Sequence, residues 1–158
     1  SEEVTGKGIL NLYAVNRNIR SVIEKHFTSA HIFHASSRQL VLEAPTGNAL
    51  YCTVFHNMVK VILYKQGELQ LLQYYNYAGT TDVAYHLLNS CNRYSISPGT
   101  VNLRLCGLID TGSLLYNELY KYFSQISFHE TGSNMHERVT FYPAHYFSHL
   151  TDLLPCES

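Results

Sequence analysis

Two stretches of this 158-residue chain have residue types and spacings that could do chemistry. In the first, Cys106-Gly107 closes an apolar run and Thr111-Gly112-Ser113 opens a helical pattern. Glycine lets backbone N–H groups approach a phosphate, and a helix N-terminus attracts an anion. Glycines placed after a strand ordinarily serve as turns and caps, so Gly107, Thr111, Gly112 and Ser113 are weak marks of a site. In the second, His145-x-x-x-His149 sets two imidazoles on one helical face, half of a zinc site. The residue after His145 is Tyr146 rather than Glu, so the metalloprotease pattern fails. A third ligand would have to come from elsewhere, such as Asp152, His136 or Cys156, and we assign no metal. His31-x-x-His34 would converge on a helix, but on a strand its odd spacing sends the two rings to opposite faces. No G-x-S-x-G nucleophile motif is present.

Composition excludes other chemistry. Eleven Lys and Arg stand against twelve Asp and Glu, so the chain lacks the basic excess that nucleic-acid binding requires. Thirteen Tyr and seven Phe with no Trp suit strands and half-buried faces, where a tyrosine ring packs and its hydroxyl stays wet. Cys52, Cys91, Cys106 and Cys156 show no C-x-x-C spacing. Three of them fall inside predicted elements, as reduced apolar thiols do, which implies a reducing, cytoplasmic compartment. There is no signal peptide and no apolar run near twenty residues, so no membrane span is expected. The chain begins Ser-Glu-Glu without Met, which reads as part of something longer.

The elements that must position these residues centre on Leu50–Tyr77. Leu50–Phe55 is apolar or aromatic at nearly every position, as a strand covered on both faces would be. After the connection His56-Asn57-Met58, Val59–Tyr64 and Leu69–Tyr77 flank the turn Lys65–Glu68, a hairpin signal. Upstream, residues 1–8 read as a frayed lead-in and Ile9–Val15 as a strand. Asn16 or Asn18 caps a helix with Ile19, Val22, Ile23, His26 and Phe27 on one face. His31–His34 is a second short strand, giving a small βαβ. Ser36–Leu42 is a helix capped by Ser36 or Ser37. Downstream, a helix presents Val83, Leu87, Leu88, Cys91 and Tyr94. Val101–Leu105 is a strand near a sheet edge or half exposed, a helix buries Leu115, Leu119, Tyr122 and Phe123, and Ile126–Phe128 is a last strand. Gly132–Arg138 is polar and expected to move. Phe141–Leu154 is a partly helical aromatic tail that either seals its own core or docks on a partner.

The expected fold is therefore α/β: a three-stranded meander then αβαβ, a ribonuclease-H-like unit over 49–130, preceded by a small βαβα lead-in over 1–48 and followed by a mobile loop and aromatic tail over 131–158. The stretches Asn11-Leu-Tyr-Ala-Val, Gly67-Glu-Leu-Gln-Leu-Leu-Gln-Tyr-Tyr-Asn-Tyr, Thr81-Asp-Val-Ala-Tyr-His-Leu-Leu and Leu105-Cys-Gly-Leu-Ile-Asp-Thr-Gly-Ser-Leu-Leu-Tyr carry a resemblance. About three quarters of the chain resembles the C-terminal portion of a bacterial family of unknown function with an actin-like ATPase fold. It is more distantly similar to actin-like proteins of type IV pilus assembly and cell division.

That resemblance implies a nucleotide site, with an acidic residue holding Mg²⁺ through water and glycines admitting phosphates at the first hairpin of each half. Here the hairpin reads Phe55-His56-Asn57-Met58, without Asp or Gly. Asn57 is a neutral remnant, and Met58 puts bulk where phosphate oxygens would sit. Leu50–Phe55 also lacks the carboxylates of a two-metal nuclease. The residues lean away from catalysis, toward a binding or scaffold module with a degenerate nucleotide site and no cofactor. The alternative is an ATPase whose acidic phosphate-site residues lie in an absent N-terminal half, with ATP and Mg²⁺ as ligands. The expected partner is another protein or that missing half.

Overall fold

The computed structural model describes residues 1–4, 6, 8–29, 32–42, 45–129, 141–151 and 153, and the chain divides into two units, Ser1–Glu43 and Ala44–Ser158. In the first unit, β1 (Glu2–Val4) pairs antiparallel with β2 (Ile9–Asn11). The lead-in thus contributes a strand. Because β1 offers only three residues, the strand expected over Ile9–Val15 stops at Asn11 and the chain continues irregularly. Helix α1 (Arg17–His26) starts where Asn16 Oδ1 accepts the Asn18 N–H at 2.9 Å. Lys25 and His26 lie in its last turn, where the helix dipole favours positive charge.

The second strand of the expected βαβ does not form. Ile32–His34 are irregular, and His31 lies outside the described residues. His34 instead caps α2 (Ala35–Leu42): its Nδ1 accepts the Ser36 N–H at 3.2 Å, and its own N–H donates to Glu2 Oε2 at 2.9 Å. The cap is therefore His34 rather than Ser36 or Ser37. The first unit is a β-hairpin followed by two helices.

The second unit is built on β3 (Ala49–Val54), whose six residues are all buried. It pairs antiparallel with β4 (Met58–Lys65), which pairs antiparallel with β5 (Glu68–Asn76). The β4–β5 turn needs two left-handed residues, Gln66 at φ 54° and Gly67 at φ 83°, the geometry that matches strand twist in a two-residue hairpin. Helix α3 (Thr80–Arg93) returns the chain to β6 (Asn102–Gly107), which runs parallel to β3. Helix α4 (Leu114–Tyr120) leads on to β7 (Gln125–Phe128), parallel to β6. The sheet order is β5-β4-β3-β6-β7. The fold is α/β and ribonuclease-H-like, as the pattern of apolar runs implies. Strand β6 lies next to the edge strand β7, near a sheet edge as its alternation implies, with Asn102 and Arg104 half-buried.

One sheet face, including Leu50, Cys52, Val61 and Leu103, packs on Val83, Leu87 and Cys91 of α3 and on Leu115 and Leu119 of α4. Phe123 joins this core, but Tyr122 is exposed: α4 ends at Tyr120, so the helical period no longer holds at position 122. The other face carries Tyr51, Thr53, Lys60, Tyr64 and Cys106, all buried. There Arg104 donates to the Tyr51 hydroxyl at 3.1 Å. This polar second face accounts for the alternation of β6. A 3-10 turn (Ala144–Tyr146) and α5 (Ser148–Thr151) lie against β6, burying His145 and Ser148 on their own unit, while Phe141 and Tyr142 stay exposed. Gly132–Arg138 lie outside the described residues.

Candidate functional site

Strands β3, β6 and β7 are parallel, and β4 begins where β3 ends, so several loops gather at one end of the sheet. These are the hairpin Phe55–Met58, the entry to α3 at Tyr77–Asp82, and the loop Leu108–Ser113. In open α/β sheets the carboxyl ends of parallel strands are where ligands bind. None of the three stretches contains Lys or Arg.

At the hairpin, Phe55 N–H bonds the Met58 carbonyl at 2.9 Å and Tyr77 N–H bonds the Asn57 carbonyl at 3.1 Å. The Tyr77 hydroxyl donates toward the carbonyls of Phe55 and His56, at 2.8 and 3.2 Å. Partial burial, with the buried Cys52 thiol as a lesser cause, raises the Tyr77 pKa above the ordinary phenol range. The hydroxyl therefore keeps its proton and remains a donor. Asn57 is exposed and Met58 half-buried.

At the second corner, the Asp82 carboxylate accepts the N–H groups of Ala78 and Gly79 at 2.9 and 3.1 Å. Those bonds hold its pKa below the usual carboxylate range. The negative group that the start of α3 favours is thus supplied by the chain itself.

The third corner is set by Gly107 and Asp110. Gly107 sits at φ 83°, and a Cβ there would collide with the Val54 carbonyl. Leu108 N–H bonds that carbonyl at 2.8 Å. Gly107 is needed for strand β6 to lie close to β3 as it turns, a demand of packing. Asp110 Oδ1 accepts the Gly112 N–H at 2.8 Å, the Ser113 hydroxyl donates to the Asp110 carbonyl at 2.8 Å, and Ser113 Oγ caps α4 through Tyr116 N–H at 3.1 Å. Thr111 is exposed. Gly107, Thr111, Gly112 and Ser113 therefore lie in one loop, organised by an aspartate the sequence reading passed over. Its signal was local: an Asp two residues before a Gly is an Asx-turn pattern. Tyr77, twenty-two residues from Phe55, had no such signal.

The tail closes onto the same loop. His145, 6% exposed, bonds the Ile109 carbonyl through Nε2 at 2.6 Å and stacks on Phe128. Because a carbonyl only accepts, Nε2 carries the proton. Tyr146 donates to Asp110 Oδ2 at 3.3 Å. His149 packs edge-on against Phe55, so the two metal candidates make separate contacts. Among the described residues no three His, Cys, Asp or Glu side chains group as a metal would require. His136, Asp152 and Cys156 lie outside the described residues. Burial pushes the Cys91 thiol up to about 11 and raises that of Cys52 further. Both stay protonated and unreactive.

Residues 1–126 match the model of a family described as proteins of unknown function, DUF3822. The chain belongs to that family. No match is found among curated proteins. Among solved structures it is similar to a protein from Bacteroides thetaiotaomicron with an actin-like ATPase fold and unknown function. The TM-score is 0.65 and the identity 17%, covering 78% of this chain and 50% of that one. It is less similar to AlfA in a filament bound to AMPPNP, at TM-score 0.44 and 14% identity over 69% of this chain and 38% of that one. The chain spans half the length of the Bacteroides thetaiotaomicron protein. The family is thus one of unknown function on an actin-like ATPase fold, as the sequence resemblance implied. No helix among the described residues is long and apolar enough to cross a membrane.

Proposed function

We propose that this chain is a non-catalytic binding or scaffold module whose nucleotide site is degenerate, with no cofactor of its own and a protein as its partner. One observation carries the reading: the polar groups at the carboxyl end of the sheet are engaged by the chain's own side chains. Tyr77 holds the hairpin carbonyls, Asp82 the amides before α3, Asp110 the Gly112 amide before α4, Ser113 the Tyr116 amide in the first turn of α4, and His145 the Ile109 carbonyl. A triphosphate would have to displace two carboxylates there, and no lysine or arginine of these loops would offset the repulsion. Cys52, Cys91 and Cys106 are buried, as apolar thiols are, which fits a cytoplasmic setting. Calorimetric titration of the folded chain with ATP and Mg²⁺ tests the reading. No saturable heat is expected. Mg²⁺-dependent saturation that weakens in Gly112→Val would replace this reading with nucleotide binding.

A further inference from the structure

We propose that strand β5 is the surface through which two copies of this chain pair antiparallel, joining their sheets across a two-fold axis at Gln73. This rests on the binding-module reading and deepens it by naming the protein partner. Strand β5 is nine residues long and ends the sheet. Among the described residues no strand pairs with its outer side. The Tyr77 N–H bonds the Asn57 carbonyl at 3.1 Å, which sets the alternation along β5. In the register with β4, the main-chain groups of Gln73 and Tyr75 point inward and those of Leu72, Tyr74 and Asn76 outward. Two glutamine side chains turn onto outer carbonyls of their own strand. Gln73 Nε2 donates to Tyr74 O at 3.3 Å and Gln70 Nε2 to Glu68 O at 3.4 Å, long bonds that a paired strand would replace. Sheet edges are ordinarily guarded by charge, proline or shortness. The other edge, β7, has only four residues. Leu69–Tyr77 contains no charged residue and no proline, and the register shift against β4 lies between Leu69 and Leu71, leaving Leu71–Asn76 regular.

The strand's own sequence names the occupant. Leu71-Leu72-Gln73-Tyr74-Tyr75 reads apolar, apolar, polar, apolar, apolar in either direction. With the axis at Gln73, Leu71 lies opposite Tyr75 of the second copy and Leu72 opposite Tyr74, so apolar side chains meet on both faces. Gln73 meets itself without like-charge repulsion. Leu72 and Tyr74, whose main-chain groups point outward, then form the hydrogen-bonded pairs that an antiparallel ladder requires. Tyr74 is 39% exposed and free to be covered in this way. On the α3 face, His86 stacks on Tyr75 at 4.3 Å and Tyr85 stands against His86, 64% exposed. An axis perpendicular to the sheet keeps both copies' α3 on that face, so Tyr85 borders the seam. An unrelated extended segment could add to any free edge, but it has no need of a strand that matches its own reversal. Such an isologous pairing closes at two copies.

Sedimentation equilibrium of the chain, without nucleotide, is expected to give the mass of two copies, falling to one on dilution. Gln73→Lys and Gln73→Glu each set like charges opposite one another at the axis and should weaken the dimer about 5-fold or more. An equimolar mixture of the two variants should recover it, because opposite charges then meet. Gln73 is exposed, so exchange of the β3 amides should match the wild type in both. In the wild type the Leu72 and Tyr74 amides should exchange slowly in the dimer and rapidly on dilution, while the Gln73 amide stays protected in both. A single-chain mass up to millimolar concentration would overturn the proposal. So would a dimer indifferent to both variants, a mixture no tighter than either alone, or assembly that continues beyond two copies. Nucleotide does not enter these readouts, so this inference and the degenerate-site reading fail separately.

Discussion

The β3-centred sheet and helix α1 both carry hydrophobic patterns, and among the described residues only the sheet buries its own. Leu50, Val61, Leu87 and Leu105 are wholly buried, and at the carboxyl end of the same sheet Tyr77, Asp82 and Asp110 bond the neighbouring backbone. Ile19, Val22 and Phe27 face outward. Pattern shows what a segment needs; packing shows whether the need is met here.

Substitutions sharpen this contrast. Gly107→Val should have the largest effect, about 3 kcal/mol or more of lost stability in urea denaturation, because a left-handed backbone and a collision with Val54 act together. Leu87→Ala, which empties part of the α3 core, should cost about 3 kcal/mol in the same assay. Tyr77→Phe removes the donor on the Phe55 and His56 carbonyls and should cost about 1 kcal/mol.

Asp82→Asn should lower the melting temperature at pH 7 by a smaller amount. Its folded pKa is depressed, so its contribution is present above the unfolded value near ~3.9 and is lost as pH falls through the folded one. The wild-type and Asn melting curves should therefore converge in acid. Val22→Ser should change the stability of this chain by less than about 0.5 kcal/mol. A loss comparable with that of Leu87→Ala would show that α1 is packed after all and erase the contrast.

Much of the second unit was legible in the residues. The meander, the α3 stripe and the β4–β5 turn follow from local pattern, because each is written in contiguous residues. The near-edge placement of β6 followed from its alternation, but the partner of Arg104 did not, since it is the Tyr51 hydroxyl on a neighbouring strand. The βαβ of the first unit was read from propensity alone. Strand formation at Ile9–Val15 and at Ile32–His34 needs neighbouring strands, which short segments cannot supply for themselves. At the site, the lack of Asp and Gly in Phe55–Met58 was visible in sequence. The role of Gly107 in strand packing and the hold of Tyr77 on the hairpin were not, because both depend on contacts between residues far apart in the chain.

The central claim, that the carboxyl end of the sheet is engaged by its own side chains, is tested most directly by amide NMR. Titrating the labelled chain with Mg²⁺ and AMPPNP should leave the Asn57, Gly79, Gly107 and Gly112 amide resonances in place through millimolar ligand. Saturable shifts confined to those amides would contradict the account and establish a nucleotide site where it denies one.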